Sequence, residues 1–79
     1  MEKNEFIELV NDVLDTTITG SEEEMRHSLS DLGLDSLDGW ELKYKFETLL
    51  GNDCDISDDK FRELVNVSLQ EMFDFIKEL

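Results

Sequence analysis

The stretch that decides the predicted fold is residues 31–51, DLGLDSLDGWELKYKFETLLG. Asp35 stands where the N-cap of a helix would be, because its carboxylate can accept hydrogen bonds from the first free backbone N–H groups. Gly51 is a typical helix end, and the chain contains no proline that would interrupt the run. These features predict a helix from about 36 to 50.

The predicted helix carries apolar side chains on two sides when its residues are placed at about 100° per residue. One side is sufficient for a core contact and consists of Leu42, Phe46, Leu49 and Leu50. The roughly opposite side consists of Leu37, Trp40 and Tyr44. Two interpretations of Trp40 and Tyr44 stay open. They lie beneath a long connection and complete the core, or they anchor a docking surface, where Trp and Tyr are favoured residues.

A first helix is predicted over about 4–15, where apolar residues recur at three- and four-residue steps. These residues are Phe6, Ile7, Leu9, Val10, Val13 and Leu14. The β-branched run 16–19 and Gly20 then predict a break and a long connection to about residue 35. Within it, Ser21 and Glu24 match a capping box and predict a short helical turn.

Two further helices are predicted after Gly51. Residues 52–55 are typical of a turn, and Ser57 starts a short helix. Its inward side chains are predicted to be Phe61, Leu64 and Val65. Ser68 and Glu71 match a second capping box, which opens the last helix. The apolar stripe of that helix consists of Leu69, Met72, Phe73, Ile76 and Leu79.

The predicted fold is all-α: a small up-and-down bundle of three main helices plus one short helix, with a long first loop. The 79 residues suffice for one core, so 1–79 is predicted to be a single domain. Its interior could hold a ligand chain, or it could be filled by phenylalanine side chains. The candidates for such filling are Phe46, Phe61, Phe73 and Phe75.

The charge of the chain is strongly negative: 21 Asp and Glu against 7 Lys and Arg give a net charge of −14. Phosphate backbones and anionic membranes would be repelled, so nucleic acid is not expected as a partner. The same negative charge favours encounter with proteins that carry basic patches. We expect a monomer that meets such partners.

The cysteine content and the N-terminal residues bear on location. Cys54 is the only cysteine, which excludes an intramolecular disulfide and fits a reducing compartment. Residues 1–5 are polar and acidic, unlike a signal peptide, and no long apolar run follows. We expect a cytoplasmic protein without membrane insertion.

A calcium loop is the main metal alternative, because Asp53, Asp55, Ser57 and Asp59 alternate like the start of an EF-hand. Counted from Asp53, the position that needs glycine holds Asp58. The position that needs a bidentate glutamate holds Leu64. No specific metal site is therefore predicted.

The run Asp31-Leu32-Gly33-Leu34-Asp35-Ser36-Leu37-Asp38, followed by Glu41-Leu42, resembles the phosphopantetheine attachment motif of acyl carrier proteins. The likeness extends over nearly the whole chain in the order of its helices and loops. It implies that 1–79 is a stand-alone carrier domain. It also implies that Ser36 receives phosphopantetheine from coenzyme A through a separate phosphopantetheinyl transferase, with Asp35 helping to organise the metal-bound donor.

From the residues alone, Ser36 could be only a helix-cap residue, since serine favours such places. A helix start also suits a phosphodiester, because the free N–H groups and the dipole favour an anion. Ser36 has no obvious base for hydrolytic chemistry, as His27, the only histidine, is distant in sequence. We therefore expect a carrier that acts with separate enzymes and is not itself an enzyme.

The resemblance further implies that acidic side chains meet Arg and Lys on acyl-loading and acyl-processing enzymes. These are Asp35, Asp38, Glu41 and Glu47, and with Leu37, Trp40 and Tyr44 they form the predicted docking set. Lys43, Lys45 and the two aromatic residues depart from common family members and indicate a dedicated pathway. The cargo stays open between fatty acyl, polyketide and peptidyl or aminoacyl groups. An unmodified acidic adaptor that docks basic proteins is the alternative function.

Overall fold

The computed structural model describes residues 2–51 and 56–79, and their architecture is all-α. The helices are α1 (Lys3–Leu14), α2 (Ser36–Leu50), α3 (Asp58–Leu64) and α4 (Leu69–Lys77), with a short 3₁₀ helix at Glu24–Arg26. The predicted class, a small helical bundle with a long first loop, is confirmed. The turn predicted at 52–55, which includes Cys54, lies outside the described residues.

Local hydrogen bonds set the ends of the helices. A capping box between Glu2 and Glu5 opens α1, with Glu5 Oε1 accepting from Glu2 N at 3.1 Å. Asp15 follows α1 in the left-handed conformation, with a φ of 54°, so the helix ends one residue earlier than predicted. The hydroxyls of Ser57 and Ser68 cap α3 and α4 by accepting backbone N–H groups at 3.1 Å.

The core has an aromatic centre. The ring of Phe6 lies parallel to that of Phe46 with centroids 6.1 Å apart, and it is tilted against Phe73 at 5.4 Å. The other buried apolar side chains of the core come from all the helices and from the connections between them. They are Ile7, Val10, Val13, Met25, Leu29, Leu42, Ile56, Phe61, Leu64, Leu69, Met72 and Ile76. The rings therefore occupy the space at the centre of the bundle.

Some side chains predicted for the core lie at its edge or outside it. Leu49 exposes 47% of its surface and Leu79 exposes 36%. Half-buried positions at the rim of the core are Leu9, Leu14, Leu50, Val65 and Phe75. The angular position of a side chain around its own helix does not show whether a neighbouring helix covers that side chain. Leu49 borders an open groove beside α1, and Leu79 follows the end of α4.

Two side chains hold the long connection in place. Asn11 Oδ1 accepts from Thr16 Oγ1 at 2.7 Å and from Ile18 N at 2.9 Å, and its Nδ2 donates to Ile18 O. Glu24 Oε1 is surrounded by backbone and hydroxyl donors at 2.8–3.1 Å, which come from Thr19, Gly20 and Ser21. Ser21 Oγ also accepts from Glu24 N at 3.4 Å, so the predicted capping box is present.

The pH dependence of folding should report on Glu24. Its hydrogen bonds, above all that from the backbone N–H of Thr19, lower the pKa of the carboxyl from 4.5 to about 2. Because the folded-state pKa is depressed, the stabilisation is fully present above pH 4.5 and is lost as the pH falls towards 2. We therefore expect the melting temperature of wild type to exceed that of Glu24→Gln at neutral pH and to approach it in acid.

Thermal melts of both proteins across this pH range, followed by circular dichroism, test the expectation. Glu23→Gln is the matched control, since Glu23 is an exposed neighbour on the same turn. The difference in melting temperature between Glu23→Gln and wild type should be the same at every pH. A constant difference between wild type and Glu24→Gln down to pH 2 would contradict the assignment.

Candidate functional site

Ser36 is the first residue of α2, and its side chain is exposed. Asp35 precedes it as the N-cap in extended conformation, and Asp35 Oδ1 accepts from Asp38 N at 2.8 Å. Asp38 Oδ2 accepts in return from Asp35 N at 3.3 Å. This reciprocal box of two aspartates confirms the predicted start of α2. It presents the Ser36 hydroxyl at the positive end of the helix dipole.

The loop before Ser36 is attached to the connection between α3 and α4. Ser30 N donates to Val65 O at 3.1 Å, and Ser30 Oγ lies 2.9 Å from Asn66 Oδ1. Leu69 N donates to His27 O at 2.8 Å. These contacts connect residues more than thirty positions apart in the chain. They hold the segment that carries Ser36 against the second half of the bundle.

An open cleft of about 500 Å³ lies beside Ser36, between α2 and α3. The lining residues of α2 and those of α3 with its C-cap recur at steps of three and four positions, so each set lies on one face of a helix. On α2 these are Ser36, Gly39, Trp40 and Lys43; on α3 they are Asp58, Phe61 and Arg62, followed by Val65 directly after the end of the helix. Residues of the preceding loop, Ser30, Leu34 and Asp35, complete the lining. The volume is within the range of small-molecule sites.

Gly39 leaves space in the wall of this cleft. A Cβ atom at Gly39 would lie 3.7 Å from Leu34 Cδ2 and 3.8 Å from Phe61 Cε1, which are ordinary contact distances. Glycine inside a helix costs stability because it loses more backbone freedom than other residues on folding. The absence of a side chain at this position therefore widens the cleft at the expense of helix stability.

Gly39→Ala should accordingly stabilise the domain, by about 0.5–1 kcal/mol. Urea denaturation of the variant and wild type measures the difference. Gly33→Ala is the opposite control, because Gly33 has a φ of +91° that alanine adopts only with strain. It should destabilise the domain, although a Cβ there would meet nothing within 4 Å. Loss of stability in Gly39→Ala would show that the cleft wall is tighter than these distances indicate.

An ion pair crosses the cleft from α2 to α3. Lys43 Nζ lies 2.6 Å from Asp58 Oδ1 and 3.7 Å from Glu47 Oε1, and the lysine side chain is only 15% exposed. The Lys43 ammonium donates to Asp58 and holds the pKa of its carboxyl below the usual range. Arg62, also in the cleft wall, lies 3.9 Å from Asp59. The wall thus combines charged and apolar groups.

An exposed apolar stripe lies on α2 beside the cleft; we call it the docking patch and define it as Leu37, Trp40 and Tyr44. Their exposed fractions are 80%, 62% and 68%. The interpretation that Trp40 and Tyr44 complete the core is therefore wrong, since the bundle is closed beneath α2 by other residues. Glu41 and Glu47 are exposed beside the patch, and Trp40 also lines the cleft.

The structure brings some predicted site residues together and leaves others apart. Asp35, Ser36 and Trp40 line the cleft, whereas the rest of the predicted docking set lies outside its lining. His27 is exposed, with Nδ1 3.8 Å from Asp31 Oδ2, and does not line the cleft. Sequence reasoning missed the α3 wall and the role of Gly39. The sequence contained a signal for the α3 wall, because residues 58, 61, 62 and 65 recur at the three- and four-residue steps of one helical face.

In residues 2–51 and 56–79, no three His, Cys, Asp or Glu side chains are grouped so that they could hold a metal ion. Asp53 and Asp55 of the calcium alternative lie outside that range. Nor do the described helices include one with the length and apolar character needed to span a membrane.

Comparison of the chain with models of protein families, with curated proteins and with solved structures gave no match. The likeness drawn from residues 31–42 therefore rests on the sequence motif alone.

Proposed function

We propose that the chain is an acyl carrier protein, which holds acyl groups as thioesters on a phosphopantetheine arm at Ser36 and presents them to partner enzymes. The observation that carries the proposal is the position of the Ser36 hydroxyl. It is exposed at the first residue of a capped helix and stands beside a cleft of ligand size. The resemblance of residues 31–42 to the attachment motif supplies the chemistry.

The attachment reaction fits the local electrostatics. Ser36 Oγ would form a bond to the phosphorus that carries pantetheine, the pyrophosphate bond of coenzyme A would break, and the nucleotide half would leave. The hydroxyl proton would pass to a base of the transferase or to solvent. The resulting phosphodiester gains from the free N–H groups at the start of α2. Asp35 and Asp38 would repel a free anionic donor, which favours delivery by an enzyme that brings cations.

Partner enzymes would recognise the surface around Ser36. The docking patch supplies exposed aromatic anchors, and Glu41 and Glu47 supply negative charge beside it. A basic rim around an apolar pocket is the complementary surface, and it would guide encounter as well as fit. The chain itself would not be an enzyme, because the cleft lining offers no histidine to activate Ser36.

Mass spectrometry tests the proposal. Incubation with coenzyme A, magnesium and a broad-specificity phosphopantetheinyl transferase should add one arm to wild type and none to Ser36→Ala. Ser57→Ala is the matched control, because Ser57 is another exposed serine at the start of a helix. It should still be loaded once. Loading of Ser36→Ala would contradict the assignment of the residue.

The second candidate is an acidic adaptor that is never modified. The exposed docking patch favours it, since such a surface can bind a basic partner without any arm. The same experiment separates the two functions. An unchanged mass of wild type after incubation with competent transferases would favour the adaptor.

A further inference from the structure

We propose that the Lys43–Asp58 ion pair limits the passenger that the cleft can shelter to short acyl groups and excludes medium and long hydrocarbon chains. This inference rests on the proposed function, because it concerns the group tethered at Ser36. It deepens that function by assigning a specificity-determining role to two residues of this chain.

The position of the pair follows from the geometry of α2. Lys43 comes seven residues after Ser36, which places it two turns along the same helix face, about 10 Å away. Its Nζ reaches across to Asp58 Oδ1 on α3 at 2.6 Å. The lysine side chain is 15% exposed, so its methylene groups are covered by the cleft walls. The cleft therefore begins at Ser36 and is crossed by a charged contact two turns later.

The apolar part of the cleft lies between these points. Leu34 and Phe61 stand within 4 Å of the Cβ position of Gly39, and Trp40 follows on the same helix. A few methylene groups of a passenger, brought back by a bent arm, would lie against these side chains. Beneath α2 the bundle offers no such room, because Phe46 is fully buried and packed on Phe6.

A longer chain would have to pass the ion pair. Covering Lys43 and Asp58 with hydrocarbon removes water from both charges, and this cost exceeds the gain from burying a few more methylene groups. A saturated chain would therefore leave the cleft beyond the pair and stay in solvent. A short passenger ends before the pair and is not affected by it.

Thioester reactivity tests the inference. Wild type and the double variant Lys43→Met with Asp58→Asn are loaded with acetyl- or octanoyl-phosphopantetheine from the acyl coenzyme A, and cleavage by hydroxylamine is followed by mass spectrometry. Methionine keeps an unbranched stem, and asparagine keeps the size of aspartate, so both charges are removed and neither is left unpaired. In wild type the octanoyl thioester should be cleaved as fast as the acetyl one. In the double variant it should be cleaved about tenfold more slowly, the value of burying roughly two further methylene groups.

Lys45→Met is the matched control, since Lys45 lies on the same helix but pairs with Asp12 on α1 at 2.5 Å. It should behave as wild type. Protection of the octanoyl thioester in wild type, or equal rates of acetyl and octanoyl cleavage in the folded double variant, would overturn the inference. If the double variant does not fold, Lys43→Met with Asp58→Ala also removes both charges and is held to the same outcome. Failure of every transferase to load wild type would instead reject the proposed function.

Discussion

Alanine at Phe46 should destabilise the domain by about 3–5 kcal/mol. The ring is fully buried on the inner face of α2 and lies parallel to Phe6 at 6.1 Å, so its removal leaves a cavity that rigid neighbours cannot fill. A domain of this size has a free energy of unfolding of about 4–12 kcal/mol. The variant should therefore be near the limit of folding, as measured by urea denaturation at neutral pH.

Phe75→Ala is the control for the loss of an aromatic ring as such. Phe75 is only half-buried, and the ammonium of Lys60 lies 4.9 Å from its ring centroid at the surface. Its removal should cost clearly less than that of Phe46, because solvent and a flexible lysine can fill the space. Equal losses of unfolding free energy in Phe46→Ala and Phe75→Ala would show that Phe46 does not lie at the centre of the core.

Alanine at Trp40 should have the opposite pattern, with nearly unchanged folding and strongly impaired recognition. The side chain is 62% exposed, so little packing is lost when it is removed. If it is an interface anchor, its truncation costs about 2 kcal/mol or more of binding, which is about 30-fold. We expect kcat/KM for loading of Ser36 by a phosphopantetheinyl transferase to fall by about that factor.

Leu49→Ala separates a docking effect from a general loss of exposed apolar surface. Leu49 lies on the same helix and is 47% exposed, but it borders the groove beside α1 instead of the Ser36 cleft. Its loading should equal that of wild type. A fall in loading for both variants, or a large loss of stability in Trp40→Ala, would contradict the docking patch.

Local sequence signals were sufficient for the order of the helices. The two aspartates around Ser36 and the serines before α3 and α4 are side chains that satisfy helix-end donors within three residues, so their roles can be inferred without knowing the rest of the fold. The start of α2 was predicted at the residue where it occurs. The two apolar sides of α2 were also recognised, although the sequence did not show whether the side with Trp40 and Tyr44 is buried or exposed.

The cleft required information that a linear pattern does not contain. Its two walls come from helices separated by a segment of several residues, and the Lys43–Asp58 contact joins positions fifteen apart. Whether Trp40 is covered depends on where the long connection runs, and that path is set by contacts such as Ser30 with Val65. Leu49 failed as a core prediction for the same reason. Its exposure depends on what α1 leaves uncovered.

The place of Trp40 gives the chain a built-in optical reporter. It is the only tryptophan, it stands one helical turn from Ser36 in the cleft wall, and the Lys43 ammonium lies 5.9 Å from its ring centroid. Indole emission depends on solvent and nearby charge, so an occupant of the cleft would shift its wavelength or intensity. Occupancy can then be followed by fluorescence in the unlabelled protein, without substitution of any residue.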